Sequence, residues 1–325
     1  MSIFTKDSTY GEVFSTPEFK EYIPFITPFF KPDNTEACKM KLSAMREGGG
    51  IAEAKGLNLL YNLIKEGRQV LYNVYSEEEI KKEPSKERTV LFHFPCENKK
   101  SKKFALVCAG GGYNIVCTPS EALPVAERLN ELGYTAFVLN YRCGKGINQP
   151  IPNNDLANAI RFIIKNKEKF DVCEEGYSVT GFSAGAHLVS AMGTDNIGYK
   201  YHNLPKPGLI CLAYPVITMG EMTHMGSREF LFGMENRDNE ELIDRYSTEK
   251  HVTPDYPPCF VWQCDKDNLV PIENSKMMAD ALEKNGVPYI YETYDSDVHG
   301  WGIAYLEDAD GWVDRAVALW EKESK

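Results

Sequence analysis

Beyond about residue 85, short apolar runs alternate with longer amphipathic segments, and this alternation limits the folds open to the chain. "RTVLFHFP", "KKFALVCAG", "YTAFVLNYR", "GYSVTGF", "GLICLAYPV", "PPCFVWQCD" and "PYIYETYD" each read as a strand. Between them lie helical patterns. "SEALPVAERLNELG" closes on Gly133, and "NNDLANAIRFIIKNKEKF" has Asn153 or Asn154 as its N-cap. The stretch from Ser183, "NSKMMADALEKNG" and "GWVDRAVALWEKE" complete the set. Strands apolar along most of their length are buried on both faces, so the pattern predicts an α/β fold, a mostly parallel sheet covered by helices on both sides.

Upstream the texture is helical. In "GLNLLYNLIKEG" the residues Leu57, Leu60, Tyr61 and Ile64 share one helical face, and "TEACKMKLSAMREGG" is read the same way. The charged, proline-bearing run "SEEEIKKEPSKE" (Ser76 to Glu87) reads as a solvated connection. This gives a helical N-terminal extension over residues 1–85 and an α/β domain over 86–325. With 325 residues and 43% hydrophobic content, one such domain with elaborations can bury a sizeable core.

The net charge of −11 argues against a nucleic-acid partner, because phosphate binding needs clustered Lys and Arg. No stretch approaches the roughly 18 apolar residues of a spanning helix. The aromatic "YIPFITPFF" (Tyr22 to Phe30) is interrupted by Pro24 and Pro28. The N-terminus lacks the apolar core of a signal peptide. Nine cysteines form no C-x-x-C pair or zinc-finger spacing, and Cys108, Cys211 and Cys259 sit inside apolar runs. They read as reduced core thiols of a cytoplasmic protein.

The chemistry concentrates at Gly181-Phe182-Ser183-Ala184-Gly185, where a strand becomes a helix. A serine hydroxyl is a weak nucleophile until a base takes its proton and the resulting oxyanion is stabilised. A tight G-x-S-x-G turn exposes the hydroxyl at the sheet's C-terminal edge, above a helix N-terminus. The oxyanion donors would be the amide of Ala184 and amides of an earlier glycine-rich loop. "VCAGGGYN" supplies Gly110, Gly111 and Gly112 directly after a strand. That loop is no dinucleotide fingerprint, since Ile115 stands where the last glycine would fall, and no Gly-Lys-Ser/Thr follows it.

In this arrangement the chain order is Ser, then Asp or Glu, then His. Of six histidines, His93 precedes the serine, and His187 lies one turn into the elbow helix and reads as a packing residue. His202, His224 and His251 precede the best acid candidates. His299, in "YDSDVHGWG", is left as the base. The acid follows the penultimate apolar strand, where "CFVWQCDKDNLVP" offers Asp265 and Asp267. Asp267 opens D-x-x-V-P and is preferred; Asp265, nearer the strand end, is the alternative. The acid would hold the imidazole in the useful tautomer and stabilise the imidazolium. No metal or organic cofactor is required.

Taken together, "AGGGY", "GFSAGAHL", "YPVITMGEMTHMGSREFLFG", "DKDNLVP" and "HGW" resemble the α/β-hydrolase esterases related to hormone-sensitive lipase. They are most similar to the branch with bacterial acetyl xylan esterases and feruloyl-esterase-like proteins. The resemblance spans roughly residues 88–320. Ala109 stands where that family often has His or Pro, which leaves the amides of Gly111 and Gly112 available. It implies a serine carboxylic-ester hydrolase acting on a small-molecule ester with a short acyl group, such as an acetylated xylan-derived oligosaccharide. An amidase or peptidase of the same fold and a non-catalytic ligand-binding relative are the alternatives. A homo-oligomer is left open. The polar insert between two strands, about 217–256, would form part of a short cap over the nucleophile.

Overall fold

Eight strands form a single sheet in the order β1-β2-β4-β3-β5-β6-β7-β8. They are β1 (Leu71–Asn73), β2 (Val90–Phe94), β3 (Phe104–Cys108), β4 (Thr135–Asn140), β5 (Ser178–Phe182), β6 (Leu209–Ala213), β7 (Cys259–Cys264) and β8 (Tyr289–Tyr294). The structure is a computed structural model and describes residues 2–27 and 33–324. Part of the aromatic stretch Tyr22 to Phe30 therefore lies outside the described residues. The β1–β2 and β2–β4 pairs are antiparallel, and every other pair is parallel. β2, β3, β5, β6 and β7 are buried along their whole length, as their unbroken apolar runs require.

From β3 the chain runs outward to β4, then crosses back to β5 on the other side of β3. Right-handed crossovers in opposite directions put their helices on opposite faces. Helix Leu123–Glu131 accordingly packs with the C-terminal helix Trp312–Glu323, while Ile151–Lys165 packs with Ser183–Gly193. The reversal leaves a crevice at the C-terminal ends of β3 and β5, where open α/β sheets place ligands.

Three local expectations are corrected. The helix expected to be capped by Asn153 or Asn154 begins at Ile151 after Pro150, and Asn153 is buried inside it. "TEACKMKLSAMREGG" is not one helix; it divides into Thr35–Cys38 and a 3-10 turn Leu42–Ala44 before a 19-residue helix starts at Glu47. β1 falls within the stretch whose texture is helical; its three residues are too few to show a strand period.

Helix Glu47–Lys65 packs on Leu123–Glu131, burying Leu57, Leu60 and Leu63, with Tyr61 and Ile64 half-buried. The charged connection holds a capped helix, Glu77–Lys82, and a 3-10 turn, Pro84–Arg88. Glu83 and Ser85 there bond the buried Arg142 guanidinium, which also bonds the buried Asp155 and the Tyr75 hydroxyl. No helix among the described residues is long and apolar enough to cross a membrane.

Candidate active site

Crowding explains the two elbow glycines. A Cβ on Gly181 would lie 2.4 Å from the Gly185 carbonyl oxygen, and one on Gly185 would lie 2.3 Å from that of Ala109. Neither position tolerates a side chain. Between them Ser183 sits at φ +50°, the left-handed region that non-glycine residues rarely occupy. Such backbone strain is held in place where surrounding packing over-determines it, commonly at functional sites. The helix Ser183–Gly193 begins at this serine.

The three side chains selected by chain order come together from β5, β7 and β8. His299 Nε2 is 2.9 Å from Ser183 Oγ, and His299 Nδ1 is 2.7 Å from Asp267 Oδ2. The Asp267 side chain is fully buried and that of His299 is 12% exposed, so water reaches the imidazole but not its carboxylate. Asp267 is held firmly. Its Oδ1 accepts the Leu269 and Val270 amides at 2.9 and 3.0 Å, and its Oδ2 also accepts Gln263 Nε2 at 3.1 Å. Burial works to raise this carboxyl, but the His299 bond, the His299 charge and the two amides outweigh it and hold it below the usual carboxylate range. Asp265 is exposed at the end of β7 and does not reach the histidine.

The glycine loop lies beside the serine. Gly111 and Gly112 have φ +124° and +64°, conformations suited to glycine. Among the described residues neither amide donates to a protein acceptor, so both are available to a ligand. Ala184 is the second residue of its helix, where backbone amides lack an intrahelical acceptor. The Gly110 amide is occupied, because it donates to Glu121 Oε2 at 2.6 Å.

Glu121 and Tyr214 were not singled out in the sequence. The Tyr214 hydroxyl donates to Glu121 Oε1 at 2.8 Å and accepts the Gly302 amide at 3.1 Å. The Tyr214 ring also meets the His299 ring edge-on at 4.9 Å between centroids. One buried carboxylate thus ties the glycine loop to the loop carrying His299. Burial raises the Glu121 carboxyl, opposed by its bonds to Gly110 and Tyr214.

His187 lies buried under the glycine loop. Its Nδ1 is 2.8 Å from the hydroxyl of Tyr113, the residue after Gly112, and its Nε2 is 2.7 Å from the Tyr246 carbonyl oxygen. A carbonyl only accepts, so Nε2 carries the proton and Nδ1 accepts from Tyr113. Burial pushes this imidazole down to about 4. The insert between β6 and β7 contributes helices Met225–Phe232 and Glu240–Tyr246. It touches the glycine loop, with His224 Cε1 3.8 Å from where a Gly112 Cβ would lie.

A strained serine on a strand–helix turn, bonded through an imidazole to a buried carboxylate and flanked by free amides, has the geometry of nucleophilic acyl-transfer sites. The sheet and this arrangement define an α/β-hydrolase fold, and solved structures of carboxylesterases and related hydrolases share it. The chain belongs to the BD-FAE family, whose sequence profile matches residues 92–282.

Several relatives fall in one functional neighbourhood. The chain is 33% identical over 231 residues to endo-1,4-beta-xylanase B of Butyrivibrio fibrisolvens, covering 68% of this chain and 36% of that protein. It is 30% identical over 218 residues to an acetylxylan esterase of Xylanibacter ruminicola, covering 63% and 44%. The chain therefore spans less than half the length of these curated relatives. Among solved structures, the acetyl ester-xyloside bifunctional hydrolase of Caldicellulosiruptor lactoaceticus superposes with a TM-score of 0.66. It is 32% identical, over 78% of this chain and 94% of that one.

Proposed function

We propose that this chain is a serine carboxylic-ester hydrolase with Ser183 as nucleophile, His299 as general base and Asp267 as the residue that orients the imidazole. The observation that supports it best is the unbroken hydrogen-bonded path from Asp267 through His299 to Ser183, at 2.7 and 2.9 Å. As Ser183 Oγ bonds the ester carbonyl carbon, its proton passes to His299 Nε2. The carbonyl oxygen becomes an oxyanion facing the amides of Ala184, Gly111 and Gly112. On collapse the bond to the alcohol oxygen breaks, and His299 gives that oxygen the proton. Water then loses a proton to His299 and attacks the acyl carbon. The bond to Oγ breaks and Oγ regains the proton, releasing the acid.

The substrate class we infer is an ester with a short acyl group, an acetyl group on a xylan-derived sugar. The names of the xylanase, acetylxylan esterase and acetyl ester-xyloside hydrolase relatives support it. Cys96, Cys108, Cys117, Cys143, Cys173, Cys211, Cys259 and Cys264 form no disulfide, which fits a reducing compartment such as the cytoplasm.

The test is a hydrolysis panel of 4-nitrophenyl esters of increasing acyl length, acetylated xylo-oligosaccharides and an acetyl 4-nitroanilide. Esters should be cleaved and the anilide left. Equal efficiency on the anilide would make the chain an amidase, and no cleavage of any member would leave a ligand-binding relative.

A further inference from the structure

The wall beside His299 is built by a part of the chain that lies outside the matched family segment. A cavity of about 450 Å³ lies between the N-terminal residues and the loop Val298–Trp301, with His299 itself among its lining residues. That volume falls within the range of sites that enclose a small molecule, roughly 300 to 1,000 Å³. Most of the described lining is apolar, including Phe14, Ile26, Leu42 and Trp301.

Two buried polar atoms in this lining lack partners among the described residues. Glu53 is 3% exposed, and its Oε1 makes no hydrogen bond, while its Oε2 accepts the Tyr10 hydroxyl at 3.2 Å. Arg46 donates from Nη2 to the Gly300 carbonyl, which fastens it to the histidine loop, and its buried Nη1 has no acceptor. Native interiors leave few such atoms unsatisfied, because an unpaired buried polar group costs stability. Groups that accept from Arg46 and give to or accept from Glu53 would complete them. Burial pushes the Glu53 carboxyl up to about 8, so near neutral pH it is largely uncharged. A neutral hydroxyl matches it better than an ammonium ion does.

The helix wall offers a third observation. Gly48, Gly49 and Gly50 follow one another near the start of helix Glu47–Lys65. A Cβ on Gly48 would collide with the Tyr305 carbonyl at 1.7 Å, and one on Gly50 with the Ser43 backbone at 2.5 Å. Gly49 has no such reason, since its nearest neighbour would be Arg46 Cβ at 3.8 Å, and it lines the cavity. Glycine there weakens the helix and keeps the space open.

The chemistry decides which part of an ester belongs here. Whatever His299 protonates must lie against His299, and in ester hydrolysis that is the alcohol oxygen. We propose that this cavity is the binding site for the alcohol part of the substrate. Its occupant is a hydroxylated ring with apolar faces, of the pyranoside class, whose free hydroxyls are read by Glu53 and Arg46. The proposal rests on the ester-hydrolase reading and assigns its alcohol specificity to the N-terminal extension.

The experiment compares kcat/KM for an acetylated methyl xyloside, cyclohexyl acetate and ethyl acetate, and measures binding of methyl β-xyloside by calorimetry, a readout that needs no turnover. In Glu53→Leu the preference for the xyloside ester over ethyl acetate should fall about tenfold or more, and xyloside binding should weaken in parallel. Glu53→Gln, which keeps a neutral polar head, should recover much of both. Gly49→Phe should disfavour both ring alcohols relative to ethyl acetate, and it supplies the test if Glu53→Leu does not fold. An active wild-type esterase whose preference and xyloside binding are the same in all three variants overturns the proposal. Glu53-dependent xyloside binding in a chain that cleaves no ester would uphold the site and sink the ester-hydrolase reading instead.

Discussion

Replacing Asp267 by Asn changes one atom, and the surrounding bonds determine which way the amide must face. If the Asn oxygen stays on the Leu269 and Val270 amides, the new NH₂ faces His299 Nδ1 and Gln263 Nε2. The flipped amide would point its hydrogens at two backbone N–H donors, the exposed Leu269 amide and the part-buried Val270 amide, and would leave the Val270 donor unsatisfied at about 1–3 kcal/mol. The first orientation is the favoured one. There the NH₂ donates to His299 Nδ1, which forces the ring proton onto Nε2, the nitrogen 2.9 Å from Ser183 Oγ. An imidazole in that tautomer cannot accept the serine proton. The expected loss is about 10⁴ in kcat, or about 5 kcal/mol of transition-state stabilisation.

Folding should suffer far less. The side chain of Gln263, whose Oε1 is buried without a partner, can turn to accept the second Asn hydrogen. That turn gives up its bond to the buried Val270 carbonyl, a cost of about 1–3 kcal/mol. Steady-state hydrolysis of 4-nitrophenyl acetate, with urea unfolding as the control, measures both quantities. Asp265→Asn should leave turnover nearly unchanged. An Asp267→Asn protein that keeps more than about a tenth of wild-type turnover would refute the tautomer argument.

Two further outcomes are expected. Acetyl esters should be cleaved best and efficiency should drop beyond about four acyl carbons. The insert's mixed polar helices offer no long apolar channel, and burial in one would add roughly 0.8 kcal/mol, about fourfold, per methylene. A specificity constant that climbs through octanoate would contradict this. His187 should make the fold acid-sensitive: its folded value of about 4 lies below the ordinary histidine value of about 6.5. Its stabilising effect is complete above pH ~6.5 and lost as pH falls toward about 4, with about 2 kcal/mol gone by pH 5. His187→Gln can keep both hydrogen bonds and should lose that much less stability between pH 7 and 5. Equal losses in urea unfolding would remove His187 as the cause.

The sequence carried the α/β architecture because buried strands leave apolar runs; seven of the eight strands are legible, five of them buried along their whole length. It also carried the elbow, since the demands on Gly181 and Gly185 come from backbone crowding at a tight turn. The order of Ser183, Asp267 and His299 narrowed the choice, and the structure brings those three side chains within hydrogen-bond range. Glu121 was hidden. It sits in a run that reads as an ordinary helix, and its Tyr214 partner is 93 positions away. The N-terminal cavity was less legible still, because its closing contact, Arg46 to Gly300, spans 254 positions. Only the folded chain shows that a segment outside the common core stands beside the histidine loop.

The central claim is that Ser183 becomes acylated during ester hydrolysis. Mixing the protein with 4-nitrophenyl acetate, quenching in acid within the first turnovers and mapping the peptides by mass spectrometry tests it directly. The account predicts one acetyl group on the peptide containing Ser183 and none on that peptide in Ser183→Ala, whose turnover should fall to the residual left by the oxyanion amides. Ester hydrolysis at an undiminished rate in Ser183→Ala, or an acetyl group found only at another residue, would contradict it.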